Sequence, residues 1–271
     1  MRILIVGKKS RIALFLKKFL TGKFHITSIS YSNIIKTKLN YFSKFDCIIN
    51  CTSNKKYINK KYNIKNDHDY QIVKKIVNLN ILYIFLSSRK IYKSKKNCKE
   101  TDSPKPISHY SINKLITEKK LTDLIKKKLL ILRISNVIGY NNIISDKKLH
   151  NTFIDIFFQN IKRGFIIKNN NLYKDFISAK KLCNIIGKLI KIKATGIFNI
   201  STGKKIYLND IIKWLNFYNQ KNYKIIINNQ KNLNKDCFYL NNSKLKKKIK
   251  LNINITQLQK ECIKLSKKLF K

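Results

Sequence analysis

Short, almost unbroken apolar runs alternate along the first half of the chain with segments of helical period. The runs are Arg2–Val6, His25–Ser30, Cys47–Cys51, Leu82–Ser87 and Leu129–Ile134. They are rich in Ile, Leu and Val and lack an alternation of apolar and polar positions. That is the pattern of strands in a parallel sheet covered on both faces. Between them, Ser10–Leu20, Asp67–Val77 and Ser108–Lys127 read as helices. The alternation predicts an α/β fold, a doubly wound parallel sheet with ligands at the carboxyl ends of its strands. No internal repeat interrupts it.

After Gly139 the rhythm changes. A polar stretch, YNNIISDKKLHN, precedes a helix-like segment at Phe153–Ile161. LYKDFISAKKLCNIIGKLI predicts a turn or strand entering a helix, and TGIFNIS a further sheet strand. Beyond Leu208 the pattern gives helices and a short strand around Tyr223–Ile227. The sheet domain is therefore expected over residues 1–140, continued by 174–200, with a smaller lobe from 141–173 and 201–271. Both prolines, Pro104 and Pro106, fall in one loop before a helix, and no clean linker divides the chain.

With 271 residues, 44% of them hydrophobic, the chain can bury a sizeable core despite a formal charge of +46. Such a field attracts nucleic acid or anionic lipid. The excess is nearly all Lys, however, with Arg confined to Arg2, Arg11, Arg89, Arg133 and Arg163, and Ile and Asn are inflated beside it. Those three residue types share AT-rich codons, and the lysines are scattered, whereas a nucleic-acid footprint is clustered. Nucleic acid is not expected as the main partner, although phosphorylated ligands would be drawn to this surface. The six cysteines form no C-x-x-C and the four histidines lie far apart, so no metal site is expected and the thiols are read as free. No apolar run approaches the roughly 20 residues of a bilayer span, so no membrane insertion is expected. The N-terminus reads as a strand rather than a signal peptide, and a cytoplasmic protein is expected.

Candidate chemistry begins at MRILIVGKKSRIALFL. Strand, Gly7 and helix follow as in a dinucleotide-binding turn, but Ser10 and Ala13 stand where the fingerprint has glycines. Ser10 can cap the helix and offer its hydroxyl to a phosphate. Further on, Tyr110 and Lys114 are spaced i, i+4, which puts both on one face of a helix. A free phenol is a poor base at neutral pH, and a nearby ammonium favours its ionised form. The pair suits proton exchange with a hydroxyl or ketone. Ser88, at the end of the preceding strand, can hold the same oxygen. About three Tyr-x-x-x-Lys matches are expected by chance in so Lys-rich a chain. Tyr57/Lys61, Tyr70/Lys74 and Tyr92/Lys96 are read as such, on solvated helix faces. Context separates Tyr110: a strand ending Ser-Ser, Ile91-Tyr92, then Glu100-Thr101-Asp102, Pro106 and the helix.

This block resembles the active-site segment of the extended short-chain dehydrogenase/reductase family, the nucleotide-sugar epimerases, dehydratases and reductases. FDCIINCTS, LRISNVIGY, YKDFISAKKL, GIFNIST and LNNSKLKKKI are similar to further family motifs in the same order, so the likeness covers nearly the whole chain. It implies a Rossmann-like sheet with a small interleaved C-terminal substrate-binding lobe. It implies catalytic roles for Ser88, Tyr110 and Lys114, with Glu118 one turn on. Gly7, Ser10, Arg11, Ile12, Asn50, Cys51, Thr52, Tyr110 and Lys114 would border NAD or NADP. Ser88, Asn136 and Lys174 would contact the substrate, and Asn66 would open the fourth helix. A nucleotide-activated sugar is the implied substrate, Tyr110 the acid/base in hydride exchange with a bound nicotinamide, and a homodimer the implied assembly.

The departures are Ser10, Ala13, Lys93 after Tyr92, and Lys180 and Lys181 in place of paired acids. Arg89-Lys90 stands where a dehydratase carries Asp-Glu, and the short span from Asn50 to Ser88 is similar to the 4-keto-deoxysugar reductase branch. No acid follows the second strand, where Ser30 to Ser32 lie instead; with Lys8, Lys9 and Arg11 nearby, NAD and NADP both stay open. The alternative class is a catalytically silent or nucleic-acid-binding scaffold, against which the retention of Ser88, Tyr110 and Lys114 together argues.

Overall fold

The computed structural model describes residues 1–139, 153–169, 172–228, 237–250 and 252–270; the polar stretch after Gly139 lies outside them. In chain order the elements are β1 (Arg2–Val6), α1 (Arg11–Leu20), β2 (His25–Ile29), α2 (Tyr31–Ile34), α3 (Leu39–Phe42), β3 (Cys47–Asn50), α4 (Lys55–Asn59), α5 (His68–Ile76), β4 (Leu82–Ser88) and α6 (His109–Ile125). They continue with β5 (Leu129–Ile134), β6 (Asn136–Ile138), α7 (Phe153–Lys162), β7 (Phe165–Asn169), β8 (Tyr173–Lys174), β9 (Phe176–Ser178) and α8 (Ala179–Lys191). Last come β10 (Gly196–Ile200), β11 (Ile206–Tyr207), α9 (Leu208–Leu215), β12 (Lys224–Asn228), α10 (Ser243–Ile249) and α11 (Ile255–Phe270). Two compact units share the chain: Met1–Lys93, Glu100–Ile134 and Lys180–Asn199 in the first, and Ser94–Lys99, Ser135–Ala179 and Ile200–Lys271 in the second.

The first unit is built on a six-stranded sheet of order β10-β5-β4-β3-β1-β2, with β1 through β5 paired in parallel. β1, β3 and β5 are buried on nearly every residue, which explains why their sequences do not alternate. Leu4, Val6, Ile48, Tyr83 and Phe85 pack there with Ile72 and Val73 of α5 and Leu121 of α6. The chain leaves β1 for β2 on one side and returns to β3 on the other, so the topological switch point lies between β1 and β3.

The five strand assignments made from sequence hold to within one residue. Ser30 and Cys51 leave the ladder: Ser30 caps α2 by accepting from the Asn33 amide, and the Cys51 amide bonds to the Val6 carbonyl at 2.9 Å. α2, α3 and α4 are four or five residues long, too short to print a period. Helix α5 opens on Asp67, whose Oδ1 accepts from the Tyr70 amide at 3.1 Å. Asn66 falls one residue before that cap, in a short turn, and does not open the helix as the resemblance implied. Tyr57 and Tyr92 correct a second expectation. Both are buried and hydrogen-bonded through their hydroxyls, not displayed on solvated faces.

The second unit contains three two-stranded pairs: β6 with β9 and β7 with β12, both parallel, and β8 with β11, antiparallel. Phe157, Phe176, Ile211, Leu215, Leu258 and Cys262 form its apolar core. Residues Ser94–Lys99 belong to it through the Cys98 amide and carbonyl, which bond to Tyr239 and Asn241 at 3.0 and 2.7 Å. Its polar centre is Asp175, fully buried between β8 and β9. One carboxylate there accepts from the Thr202 amide (3.0 Å) and hydroxyl (2.7 Å) and the Gly203 (3.1 Å) and Leu240 (3.0 Å) amides. Burial outweighs these donors and raises the carboxyl to about 6.

Asp175→Ala leaves those donors without their acceptor and should cost about 2–4 kcal/mol in equilibrium unfolding. The folded-state value lies above the unfolded one, so the stability this carboxyl contributes is complete below the ordinary carboxylate range and is lost as pH rises through about 6. The difference between wild type and variant should therefore be largest near the acid end and shrink towards neutrality. A difference that grows with pH would contradict this account.

Candidate cofactor and catalytic site

The switch point is closed by backbone. The Gly7 amide bonds to the Ile29 carbonyl at 2.7 Å and the Cys51 amide to the Val6 carbonyl, so the ends of β2 and β3 meet the turn that follows β1. Gly7 has φ +111°, and a Cβ on it would stand 2.6 Å from Thr52 Cγ2. Only a bare backbone fits, which is the cradle a pyrophosphate approaching the start of α1 requires. Ser10 sits at the N-cap of α1, its carbonyl bonded to the Leu14 amide at 3.0 Å, but its side chain makes no cap bond. The capping role open to it in the sequence is thus not realised. Arg11 and Ile12 occupy the first turn of α1, both half-buried. These residues fit a dinucleotide.

Beside the turn runs a chain of polar contacts. Asn50 Oδ1 accepts from the Thr52 amide (3.0 Å) and hydroxyl (2.7 Å), and Thr52 Oγ1 lies 2.9 Å from His68 Nδ1. The His68 ring stacks on Tyr31, centroids 3.4 Å apart. Burial and then the Lys114 ammonium lower His68 to about 4, so the ring is neutral at physiological pH. The Asp69 carboxyl, bonded by the Tyr83 hydroxyl at 2.8 Å, is raised by its burial. Burial likewise pushes the Cys51 thiol well up.

Tyr110 and Lys114 share the face of α6 that their spacing predicts, with the Lys114 nitrogen 6.0 Å from the centre of the Tyr110 ring. Helix α6 starts where it does because Ser108 and Ser111 form a reciprocal capping box. Lys114 is buried. Its ammonium donates to the Leu86 carbonyl at 2.9 Å and lies 4.4 Å over the Phe85 ring. That bond ties the first turns of α6 to the end of β4, where Ser88 follows two residues after Leu86. Ser88 Oγ accepts from the Lys90 amide at 3.2 Å, which leaves the hydroxyl proton to be donated.

One turn beyond Lys114, Glu118 forms a buried ion pair with Arg133 of β5 at 2.7 Å. Ser87 donates to Glu118 at 2.5 Å, and Arg133 donates to the Tyr92 hydroxyl at 2.7 Å and the Glu100 carbonyl at 3.1 Å. The Tyr92 hydroxyl donates to Asn199 at 3.0 Å, and the Asn199 amide to Glu100 Oε1 at 2.8 Å. Sequence reasoning gave Tyr92, Glu100, Arg133 and Asn199 no role of their own. The available signal was Arg133 itself, one of only five guanidiniums in a chain whose cations are mostly lysines.

The two further substrate candidates lie in the second unit. Asn136 opens β6 and its Nδ2 donates to the Asp175 carbonyl at 3.1 Å; Lys174 is in β8, the residue before Asp175. Among the described residues no group of His, Cys, Asp and Glu is disposed to hold a metal ion, and no helix is long and apolar enough to cross a membrane.

A parallel sheet with a glycine turn at its switch point defines a Rossmann-like dinucleotide-binding fold. The profile of the NAD dependent epimerase/dehydratase family matches residues 12–201, and the chain belongs to that family. Its fold is similar to UDP-N-acetylglucosamine 4-epimerase from Methanobrevibacter ruminantium M1 (17% identity, 98% of this chain and 97% of that one, TM-score 0.80). It is also similar to a dTDP-4-dehydrorhamnose reductase from Clostridium acetobutylicum ATCC 824 (15% identity, 100% of both chains, TM-score 0.77). WbmG of Bordetella bronchiseptica, solved in complex with NAD, aligns at 15% identity over 100% of this chain and 95% of that one, with TM-score 0.76. No curated protein sequence matches.

Gly7→Ala should lower dinucleotide affinity by about tenfold or more, with about 1–3 kcal/mol of stability lost to the clash and the unfavourable φ. Ser10→Gly should leave affinity unchanged or improved. Titration of protein fluorescence with the reduced cofactors checks both, and a loss of about tenfold in Ser10→Gly would make the serine a positive contact.

Proposed function

We propose that the protein is an NAD(P)-dependent enzyme that acts on a nucleotide-activated sugar, as an epimerase or a 4-keto-reductase, with Tyr110 as acid/base. The observation that carries this reading is the placement of Lys114: buried on the Tyr110 face and bonded to a neutral carbonyl beside Ser88. The carbonyl itself carries no charge, and the buried ammonium, whose field also reaches Asp69 and His68, acts on a proton moving at the phenol oxygen. Family membership and the likeness in fold to a UDP-N-acetylglucosamine 4-epimerase, a dTDP-4-dehydrorhamnose reductase and a protein solved with NAD support the same reading.

In this proposal Gly7, Ser10, Arg11 and Ile12 receive the pyrophosphate at the start of α1, with Asn50, Cys51 and Thr52 along the flank. The bound nicotinamide supplies a hydride acceptor and donor. Tyr110 takes the proton of a sugar hydroxyl, or returns it to a ketone, and Ser88 donates its hydroxyl proton to the same oxygen. Lys114 keeps two N–H groups for the phenol side and the cofactor ribose. Asn136 and Lys174 are the proposed contacts to the substrate's phosphates and nucleotide. Arg89-Lys90 at the end of β4 offers no acid for water elimination, which favours epimerisation or reduction over dehydration.

Tyr110→Phe should reduce turnover by roughly 10²–10⁴-fold while leaving cofactor affinity within about twofold. The measurement is incubation of a panel of nucleotide-sugars with NAD(H) and NADP(H), read by mass spectrometry for reduction and by NMR for isomers. Failure of every dinucleotide to bind at millimolar concentration would sink the reading.

A further inference from the structure

We infer that the cofactor is the 2′-phosphorylated dinucleotide, NADP(H), selected by the Ser30–Ser32 hydroxyls and the lysine-lined pocket beside them. The inference rests on the dinucleotide-binding reading above and deepens it. Sheets of this kind discriminate the two cofactors at the end of the second strand, where a carboxylate bonds the ribose hydroxyls of NAD and a cation accepts the extra phosphate of NADP.

The end of β2 carries no carboxylate. No Asp or Glu occurs anywhere before Asp46, so the entire β1–α1–β2 segment is free of acids. After Ile29, whose carbonyl is bonded to the Gly7 amide, come Ser30, Tyr31, Ser32 and Asn33. The Ser30 and Ser32 hydroxyls lie 3.0 Å apart, and Ser30 Oγ also accepts from the Asn33 amide at 3.3 Å. In the free protein these hydroxyls bond each other, and Ser32 Oγ also donates to Asn33 Oδ1 at 3.4 Å; rotated outward, each can donate its one proton to a phosphate, whereas a carboxylate there would repel it.

Tyr31, the residue between them, lines a pocket of about 470 Å³ with Ile35, Lys65, Gln71, Lys74 and Lys75. The Lys75 ammonium donates to the Ile35 and Thr37 carbonyls, both neutral, so its charge is held in place without being cancelled. Lys8 and Lys9, exposed in the turn after Gly7, add positive charge to the same segment of chain. The carboxylates in the neighbourhood are Asp67 and Asp69, which act electrostatically on Tyr31. Both are buried and already bonded by hydroxyls: Asp67 by Tyr62 (2.9 Å) and Thr117 (2.6 Å), Asp69 by Tyr83. The groups facing solvent at this rim are hydroxyls and ammoniums.

Net charge alone would draw any phosphate to so basic a protein, so the test must fix the charge and vary its position. Calorimetric titration at physiological ionic strength compares NADPH with NADH, and 2′,5′-ADP with its 3′,5′ isomer. NADPH should bind about tenfold or more tightly than NADH, and 2′,5′-ADP more tightly than the 3′,5′ isomer by a similar factor. Ser30→Asp, which preserves the cap acceptor of α2, should abolish or reverse the preference; Lys74→Ala should weaken NADPH by several-fold and leave NADH unaffected. NADH binding as tightly as NADPH, or equal binding of the two ADP isomers, would overturn the inference and leave the proposed function standing. Binding of neither dinucleotide would overturn both.

Discussion

The buried Glu118–Arg133 pair decides where the chemistry can sit. Helix α6 presents Tyr110, Lys114 and Glu118 at successive i, i+4 positions, so one face carries the phenol, the ammonium and the carboxylate in line. Glu118 is fastened to β5 through Arg133 and to β4 through Ser87, and Lys114 is fastened to β4 through the Leu86 carbonyl. With two points of that face fixed against the strand ends, the position of the third is set. An isolated ion pair in such a place gains little after desolvation, and its weight here is positional. The two serines of β4 have different tasks: Ser87 donates to Glu118 in the clamp, and Ser88 ends the strand with its oxygen bonded by the Lys90 amide.

The other face of α6 is held by polar contacts as well. Asn113 donates to the Tyr57 and Lys60 carbonyls at 2.6 and 2.9 Å, and Thr117 donates to Asp67 at 2.6 Å. This helix buries serine, asparagine, lysine, threonine and glutamate with few aliphatic residues. Every donor must then find its acceptor at a fixed place, which gives a sharper register than an apolar stripe. The turn after β1 follows the same logic in backbone form, where Gly7 is locked to β2 by its amide and Thr52 leaves no room for a Cβ on it.

How much of this was legible depended on whether the signal was periodic, contextual or purely spatial. The strands of the sheet were readable because burial on both faces leaves unbroken apolar runs. Helix α6 was readable as a helical segment, but polar burial gives it no clear apolar stripe, and only context singled out Tyr110 on it. Gly7, Ser88, Tyr110 and Lys114 could be named because each stands at a strand end or at helical spacing from its partner. The clamp was not readable: Ser87, Tyr92, Glu100, Glu118, Arg133 and Asn199 are spread over more than 100 positions, and only the sheet order brings them together. The stack of Tyr31 on His68 escaped for the same reason. Asp175 was visible only as one letter of a motif, and its role comes from residues 27 and 65 positions away.

The strand β12 has a consequence for the behaviour of the protein in bulk. Among the described residues it pairs with β7 alone, and its Ile225, Ile226 and Ile227 are 52%, 39% and 56% exposed. A bare parallel edge of three β-branched residues is a template for self-association into fibrils or amorphous aggregate. The lysine excess spread over the chain works against this, because molecules carrying a formal charge of +46 repel before their edges meet. Colloidal stability therefore rests on a long-range, salt-screened force. Concentrated salt or a polyanion would remove that protection without altering a single contact within the fold.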